Sequence, residues 1–209
     1  MSIEVIDNFL PNNIFYPFAS SCMKNAMYKP FDYTASEEEE DGSISLFGQK
    51  LKENTNFAEI QFQALIYTKT QNTNYKSDFW LSNIDVVKKL EDLLNVESWV
   101  QARVNCTTGQ PTKHVGGYHV DFVFSDNKNY KTCILYLNSN NGGTIVQDTD
   151  TLIKSEKNRL LKFPTSTMHA GVWATDAKLR FVLNMTYITA LVCLLVNINY
   201  GLCHFAFLT

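Results

Sequence analysis

The sequence predicts a mainly β chain with flanking helices, an α+β protein built around a double-stranded β-helix, the cupin-like jelly-roll barrel. Three observations carry this. Two amphipathic helical segments lie in the N-terminal half, and from Trp99 the apolar period changes from that of a helix to two residues. Short apolar runs then succeed one another, divided by turn-forming stretches such as NSNNGG, DTDT and TDAK. Helices first and a string of short strands afterwards fit a barrel with helices packed on its outside. The 209 residues, 45% hydrophobic and 13% aromatic, can fill one core and little more. One domain is therefore expected over residues 1–188, with an apolar C-terminal tail over 189–209.

Taken in order, IEVIDNFL reads as a short strand. After Pro11, which suits a first helical turn, Ile14, Phe15, Phe18, Ala19 and Cys22 recur at helical spacing. The acidic stretch TASEEEEDGS (34–43) reads as a solvated loop. Ser82 and Asp85 resemble a capping box for a second helix, with Ile84, Val87, Leu90 and Leu94 on one face. WVQARVNC then alternates Val100, Ala102 and Val104 against Gln101, Arg103 and Asn105, a strand with one apolar and one polar face. Arg103 could face the barrel interior and touch a substrate, or lie on the outside. Further strands are expected in YHVDFVF (118–124), KTCILYLN (131–138), TIVQD (144–148), RLLKFP (159–164) and LRFVLNMTYI (179–188).

Charge and cysteine usage narrow the function classes. A net charge of −3 and a pI near 5.8 give no basic footprint for a phosphate backbone, which argues against a nucleic-acid partner. The five cysteines are scattered, odd in number and without a CxxC pair, so buried thiols in a reducing compartment are expected. The N-terminus carries acidic residues where a signal peptide would need a basic start, which makes the cytoplasm the expected location. The tail ITALVCLLVNINYGLCHFAFLT has no charged residue, yet a membrane span needs about 20 mostly apolar residues. Asn197, Asn199 and Gly201 interrupt it. Extra packing on the domain is expected rather than a membrane contact; a tail from a shifted reading frame or truncated gene is the other option.

The chemistry gathers around GGYHVDF. In a strand, residues i and i+2 share a face, so His119 and Asp121 would stand side by side with Val120 turned away. Two such ligands begin a facial triad of two imidazoles and one carboxylate, the arrangement of non-haem Fe(II) oxygenases. His169, in FPTSTMHAGVW, is the candidate third ligand, since a jelly roll can fold that distant element back over the first pair. Arg180 follows shortly after, at the start of RFVLNMTYI, where a strand could turn its guanidinium inward to take a carboxylate bidentately. His114 and His204, in a loop and in the tail, are read as non-ligands.

In these motifs the sequence resembles the Fe(II)- and 2-oxoglutarate-dependent dioxygenases, in their prolyl-4-hydroxylase-like branch, and looks most like short single-domain members from marine tailed phages and bacteria. The resemblance runs from IEVIDNFLP to VLNMTYI and is densest in GGYHVDF, TCILYLNSNNGGTIVQD and NRLLKFPTSTMHAGVWATDAKLRFVLN. It implies that His119, Asp121 and His169 hold Fe(II) and that Arg180 binds the far carboxylate of the cosubstrate 2-oxoglutarate, with O2 as oxidant and ascorbate as auxiliary reductant. Tyr136 and Asn105 are implied as further cosubstrate contacts. Many relatives carry a serine two residues after the arginine; here that position is Val182. The implied reaction hydroxylates a C–H bond and releases succinate and CO2. Its substrate would be a protein or peptide residue, peptidyl proline above all, or a small molecule. A non-catalytic jelly-roll binding module, or a cupin-type metalloenzyme that does not use 2-oxoglutarate, is the competing reading, and Arg180 separates them.

Overall fold

The computed structural model describes residues 3–32, 60–69, 73–122, 129–147 and 151–190. Strand β1 (Glu4–Ile6) leads into helix α1 (Asn12–Asn25). Pro11 stands at the N-cap, one position ahead of the first turn, and its carbonyl accepts the first bonds from Ile14 and Phe15 N–H. Phe15, Phe18, Ala19 and Cys22 are buried, as their helical spacing requires. Strands β2 (Lys29–Asp32), β3 (Ile60–Lys69) and β4 (Asn74–Lys76) follow, then helices α2 (Asp78–Ser82) and α3 (Ile84–Leu94). The expected capping box at Ser82 and Asp85 is not formed. Ser77 is the capping residue instead: its Oγ accepts from the Trp80 N–H at 3.1 Å and starts α2, while α3 begins at Asn83 without a side-chain cap. Val87, Leu90 and Leu94 are buried, whereas Ile84 in the first turn stays largely exposed. Asn95 ends α3 in the left-handed conformation at φ 54°, which asparagine tolerates.

Strands β5 (Val96–Thr108), β6 (Tyr130–Tyr136), β7 (Gly143–Val146), β8 (Thr151–Lys154), β9 (Leu160–Pro164), β10 (His169–Val172) and β11 (Leu179–Thr189) complete the chain. They form two antiparallel sheets. The major sheet runs β1-β9-β6-β11-β5-β3-β2, with β4 added on β3, and the minor sheet runs β10-β7-β8. From β6 to β11 the chain passes repeatedly between the sheets, which is the jelly-roll arrangement the sequence predicted. One expected strand is not regular. Among the described residues of YHVDFVF, His119 alone forms a β-bridge, to His169; Asp121 lies in a bend, and residues 123–128 are outside the described residues. The acidic stretch 34–43 and the tail from residue 191 are outside them too. No helix among the described residues is long and apolar enough to cross a membrane.

Alternation along the central strands builds two cores. On the outer face Ala102, Val104 and Cys106 of β5, with Cys133, Leu135, Leu183 and Met185, pack against Phe15, Phe18, Val87 and Leu90 of the helices. Between the sheets, Ile134, Tyr136, Val146, Leu161, Phe163 and Val182 form a second, smaller cluster. The polar face of β5 is also turned inward, since Asn105 lies opposite Val182. Gln101, Asn105 and Thr107 are buried there. Cys22, Cys106 and Cys133 are buried free thiols, and burial pushes Cys106 up to about 11.

Asn158 fixes the N-terminal segment to the turn before β9. It is buried at φ 64°, and its side chain bonds both Leu10 N (2.9 Å) and Leu10 O (2.7 Å). Asn158→Ala strands both backbone groups and puts in the left-handed region a residue that tolerates it less well than asparagine. A loss of about 3 kcal/mol is expected in urea denaturation, with an unchanged fold by circular dichroism.

Candidate functional site

Where the HxD segment meets β10, two backbone hydrogen bonds of 3.0 Å join His119 and His169, each N–H donating to the other's carbonyl. This bridge sets the imidazoles side by side, with ring centroids 4.5 Å apart. Each Nδ1 lies against the carbonyl two residues earlier, Gly117 O at 3.1 Å for His119 and Thr167 O at 3.0 Å for His169. A carbonyl can only accept, so Nδ1 carries a proton in both rings, which leaves Nε2 as the nitrogen available to a metal. Asp121 completes the group with a side chain that is 0% exposed. Arg103 Nη2 donates to Oδ1 at 2.7 Å, Asn184 Nδ2 lies 3.3 Å from both oxygens, and Oδ2 is 3.7 Å from His169 Nε2.

The donor atoms of His119, Asp121 and His169 all lie within 4.8 Å of one another. Facial ligands about 2.1 Å from one metal lie about 3 Å apart, so these donor atoms would draw closer together around a bound ion. Two imidazoles oriented through their Nδ1 protons and one hydrogen-bonded carboxylate fit a first-row divalent cation with room for further ligands. Their charge states suit this. Burial alone would raise the Asp121 carboxyl, but His169, Arg103, His119 and the Asn184 bond outweigh it and hold it at about 2. Burial, reinforced by His169, pushes His119 below the usual histidine range. At neutral pH Asp121 is thus an anion and His119 a neutral donor. The three residues singled out in the sequence are brought together; His114 stands apart, edge-on to Trp173 with centroids 4.9 Å apart, and His204 lies outside the described residues.

Arg180 is buried at the far end of the same inner face, opposite Thr107 in the β11–β5 register. Its Nε donates to Ser155 Oγ at 2.9 Å and its Nη2 to Gly143 O at 2.8 Å, which ties it across to the minor sheet. Its Cζ sits 5.7 Å from the Tyr136 ring centroid, a cation–π contact. Tyr136 is fully buried, with Oη 2.9 Å from Thr144 Oγ1 and 3.2 Å from Ile153 O. Between the triad and Arg180, alternate residues of β5 carry buried polar atoms with no hydrogen-bond partner: Arg103 Nε, Asn105 Oδ1 and Thr107 Oγ1. They span about 13 Å of strand, from the neighbour of Asp121 to the neighbour of Arg180. Buried polar atoms are normally satisfied, so this row fits a polar ligand lying between the two ends.

Arg103, open to either face in the sequence, therefore points inward. Asn184, Thr107, Thr144 and Ser155 were not anticipated. Asn184 and Thr107 could have been found by continuing the two-residue period from Arg180 and Arg103. Thr144 and Ser155 could not, because their role depends on how the sheets stack. Val182, the departure from the serine of many relatives, belongs to the inner apolar cluster.

No family model matches the sequence, and no curated protein does. Solved structures match in fold. The chain is similar to a Pseudomonas putida prolyl-4-hydroxylase, at 14% identity and a TM-score of 0.55 over 90% of this chain and 92% of that one. It is similar to a Burkholderia pseudomallei oxidoreductase of the 2OG-Fe(II) oxygenase family, at 7% identity and a TM-score of 0.59 over 88% and 84%. A Trichoplax adhaerens prolyl hydroxylase, in complex with a hypoxia inducible factor oxygen degradation domain peptide fragment, gives 15% identity and 0.53 over 89% and 83%. The chain thus has the fold found in prolyl-4-hydroxylases and other 2OG-Fe(II) oxygenases.

Gly143 is the point at which Arg180 is anchored. A β-carbon there would lie 2.2 Å from the Ile153 carbonyl oxygen, so β7 and β8 would have to separate. Gly143→Ala is expected to cost about 1–3 kcal/mol, seen as a lower melting temperature, because overpacking against backbone cannot be relieved by a rotamer change.

Proposed function

We propose that this protein is an Fe(II)- and 2-oxoglutarate-dependent dioxygenase that hydroxylates a C–H bond, with peptidyl proline as its substrate class. The observation that carries the reading is one inner face with a two-histidine, one-carboxylate donor set at one end and a buried arginine at the other. Unsatisfied polar atoms lie between them. His119, Asp121 and His169 would hold the iron. With 2-oxoglutarate and O2 bound, iron supplies hydroxylation of a C–H bond, the cosubstrate leaving as succinate and CO2.

The chain's own residues would orient the reactants. Arg180 would take the distal carboxylate, its guanidinium held in place by Ser155 Oγ and Gly143 O. Tyr136 stacks against that guanidinium and fixes its plane, and Asn105 offers an unsatisfied carbonyl oxygen midway along β5. Of the three solved structures named above, two are prolyl hydroxylases and one of these holds a peptide, which supports a peptide substrate here. A metalloenzyme that does not use 2-oxoglutarate is the second reading. It is favoured by the neutral protein acceptors that already receive Arg180's N–H groups.

The purified protein with Fe(II), ascorbate and 2-oxoglutarate is expected to release succinate slowly without a primary substrate. Metal binding without any succinate supports the second reading. Asp121→Ala should abolish both iron retention and succinate release; turnover at the parent rate would sink the assignment. Arg180→Met should raise the KM for 2-oxoglutarate by about 10–100-fold, the worth of a charge-assisted hydrogen bond, while leaving Co(II) binding intact.

A further inference from the structure

We propose that Arg103 keeps divalent-metal binding weak until a dianionic ligand joins the metal, so that metal and cosubstrate are taken up together. This rests on the metal and 2-oxoglutarate reading above. The guanidinium lies 2.7 Å from Asp121 Oδ1, with side-chain exposures of 20% for Arg103 and 0% for Asp121. Screening by water is weak at such burial, so the positive charge acts on whatever the carboxylate binds. Two neutral imidazoles, one carboxylate and one guanidinium sum to zero, and a dication would enter a site that offers no net negative charge. Oδ1 is engaged by Arg103, which leaves Oδ2, 3.7 Å from His169 Nε2, as the ligand oxygen.

A dianion reverses the balance. Metal plus the neutral site carries two positive charges, and the Arg103 guanidinium adds to the attraction they exert on a dicarboxylate. Arg103 Nε is moreover buried with no hydrogen-bond partner, an unused donor beside the carboxylate ligand. The arginine thus opposes metal alone and favours metal with anion. By linkage the coupling is reciprocal: the metal must strengthen anion binding by the same factor. Arg103 is a positioning residue, acting through Asp121.

Co(II) is the probe, titrated into the full chain by visible absorption and calorimetry, with and without saturating 2-oxoglutarate. Arg103→Met and Arg103→Gln are expected to bind Co(II) alone at least about tenfold more tightly than the parent, since a unit charge repelling a dication across a few ångströms of protein is worth that much. Their affinity for 2-oxoglutarate with Co(II) present should fall by a similar factor. Arg103→Lys, which keeps the charge, should stay within about threefold of the parent in both measurements. Equal or weaker Co(II) binding by the neutral variants would show that Arg103 merely orients Asp121, and would overturn the proposal. Arg103→Gln keeps a donor to Oδ1 should Arg103→Met not fold, and if neither folds, a larger change in Arg103→Lys overturns it as well. A parent protein that fails to bind Co(II), or binds it without response to 2-oxoglutarate, refutes the dioxygenase reading instead.

Discussion

Covering the major sheet on both faces is the constraint on which the rest depends. Helices α1, α2 and α3 take up the apolar face of β5, and the minor sheet stacks against the opposite side. The polar face of that strand is therefore enclosed rather than wetted, and each group on it needs a partner or carries a desolvation cost. Arg103 meets this by pairing with Asp121, and Arg180 by reaching Ser155 and Gly143 on the other side. Asn105 Oδ1 and Thr107 Oγ1 meet it with nothing from the protein. A fold optimised for stability alone would place apolar residues there, so the cost marks where binding takes precedence.

The interior is divided accordingly. Over β6 and β9 the inner face is apolar, with Ile134, Leu161 and Phe163 closing against Val146. Over β5 and β3 it is polar, with Gln61 and Thr107 buried opposite one another. His169 stands at the boundary, its ring 4.8 Å from Phe163 on one side and its Nε2 toward Asp121 on the other. An imidazole packed against a ring on one face has little freedom to turn, and the Thr167 carbonyl removes the remaining ambiguity about which nitrogen is the donor. The apolar half holds the barrel together and stiffens the ligands that the polar half presents.

Much of this was legible in the chain, for reasons that can be named. α1 and the body of α3 bury the residues that their spacing selected, and β5 keeps the two-residue period from Gln101 onward, whereas ahead of it Trp99 is buried and Val100 only partly so, across a register shift against β11. The order of His119, Asp121, His169 and Arg180 located the candidate site because few residue types can perform those tasks. What escaped depended on tertiary context. Ser77 replaced Ser82 as the cap because a separate short helix precedes α3, and local sequence does not reveal such a break. The ten-residue strand β3 was not assigned at all. The HxD stretch reads as a strand by pattern, yet only its histidine is paired, through a residue far along the chain. Which face of β5 would be inside could not be decided from alternation, because both faces are covered.

The two halves of the site are also mechanically linked. His169 opens β10, which pairs with β7 from His169 opposite Val146 to Val172 opposite Gly143. The far end of that same ladder supplies Gly143 O, which holds Arg180. His169 and the carbonyl that holds Arg180 thus stand at the two ends of one short antiparallel pair. The partners they address, Asp121 with Arg103 and Arg180 on β11, are fixed to the major sheet. Docking of the minor sheet assembles both ends in a single step, and a shift of that sheet cannot spoil one end while sparing the other. Spacing between His169 and Arg180 is therefore set by strand geometry, which is how a barrel could hold a small dicarboxylate between two fixed points.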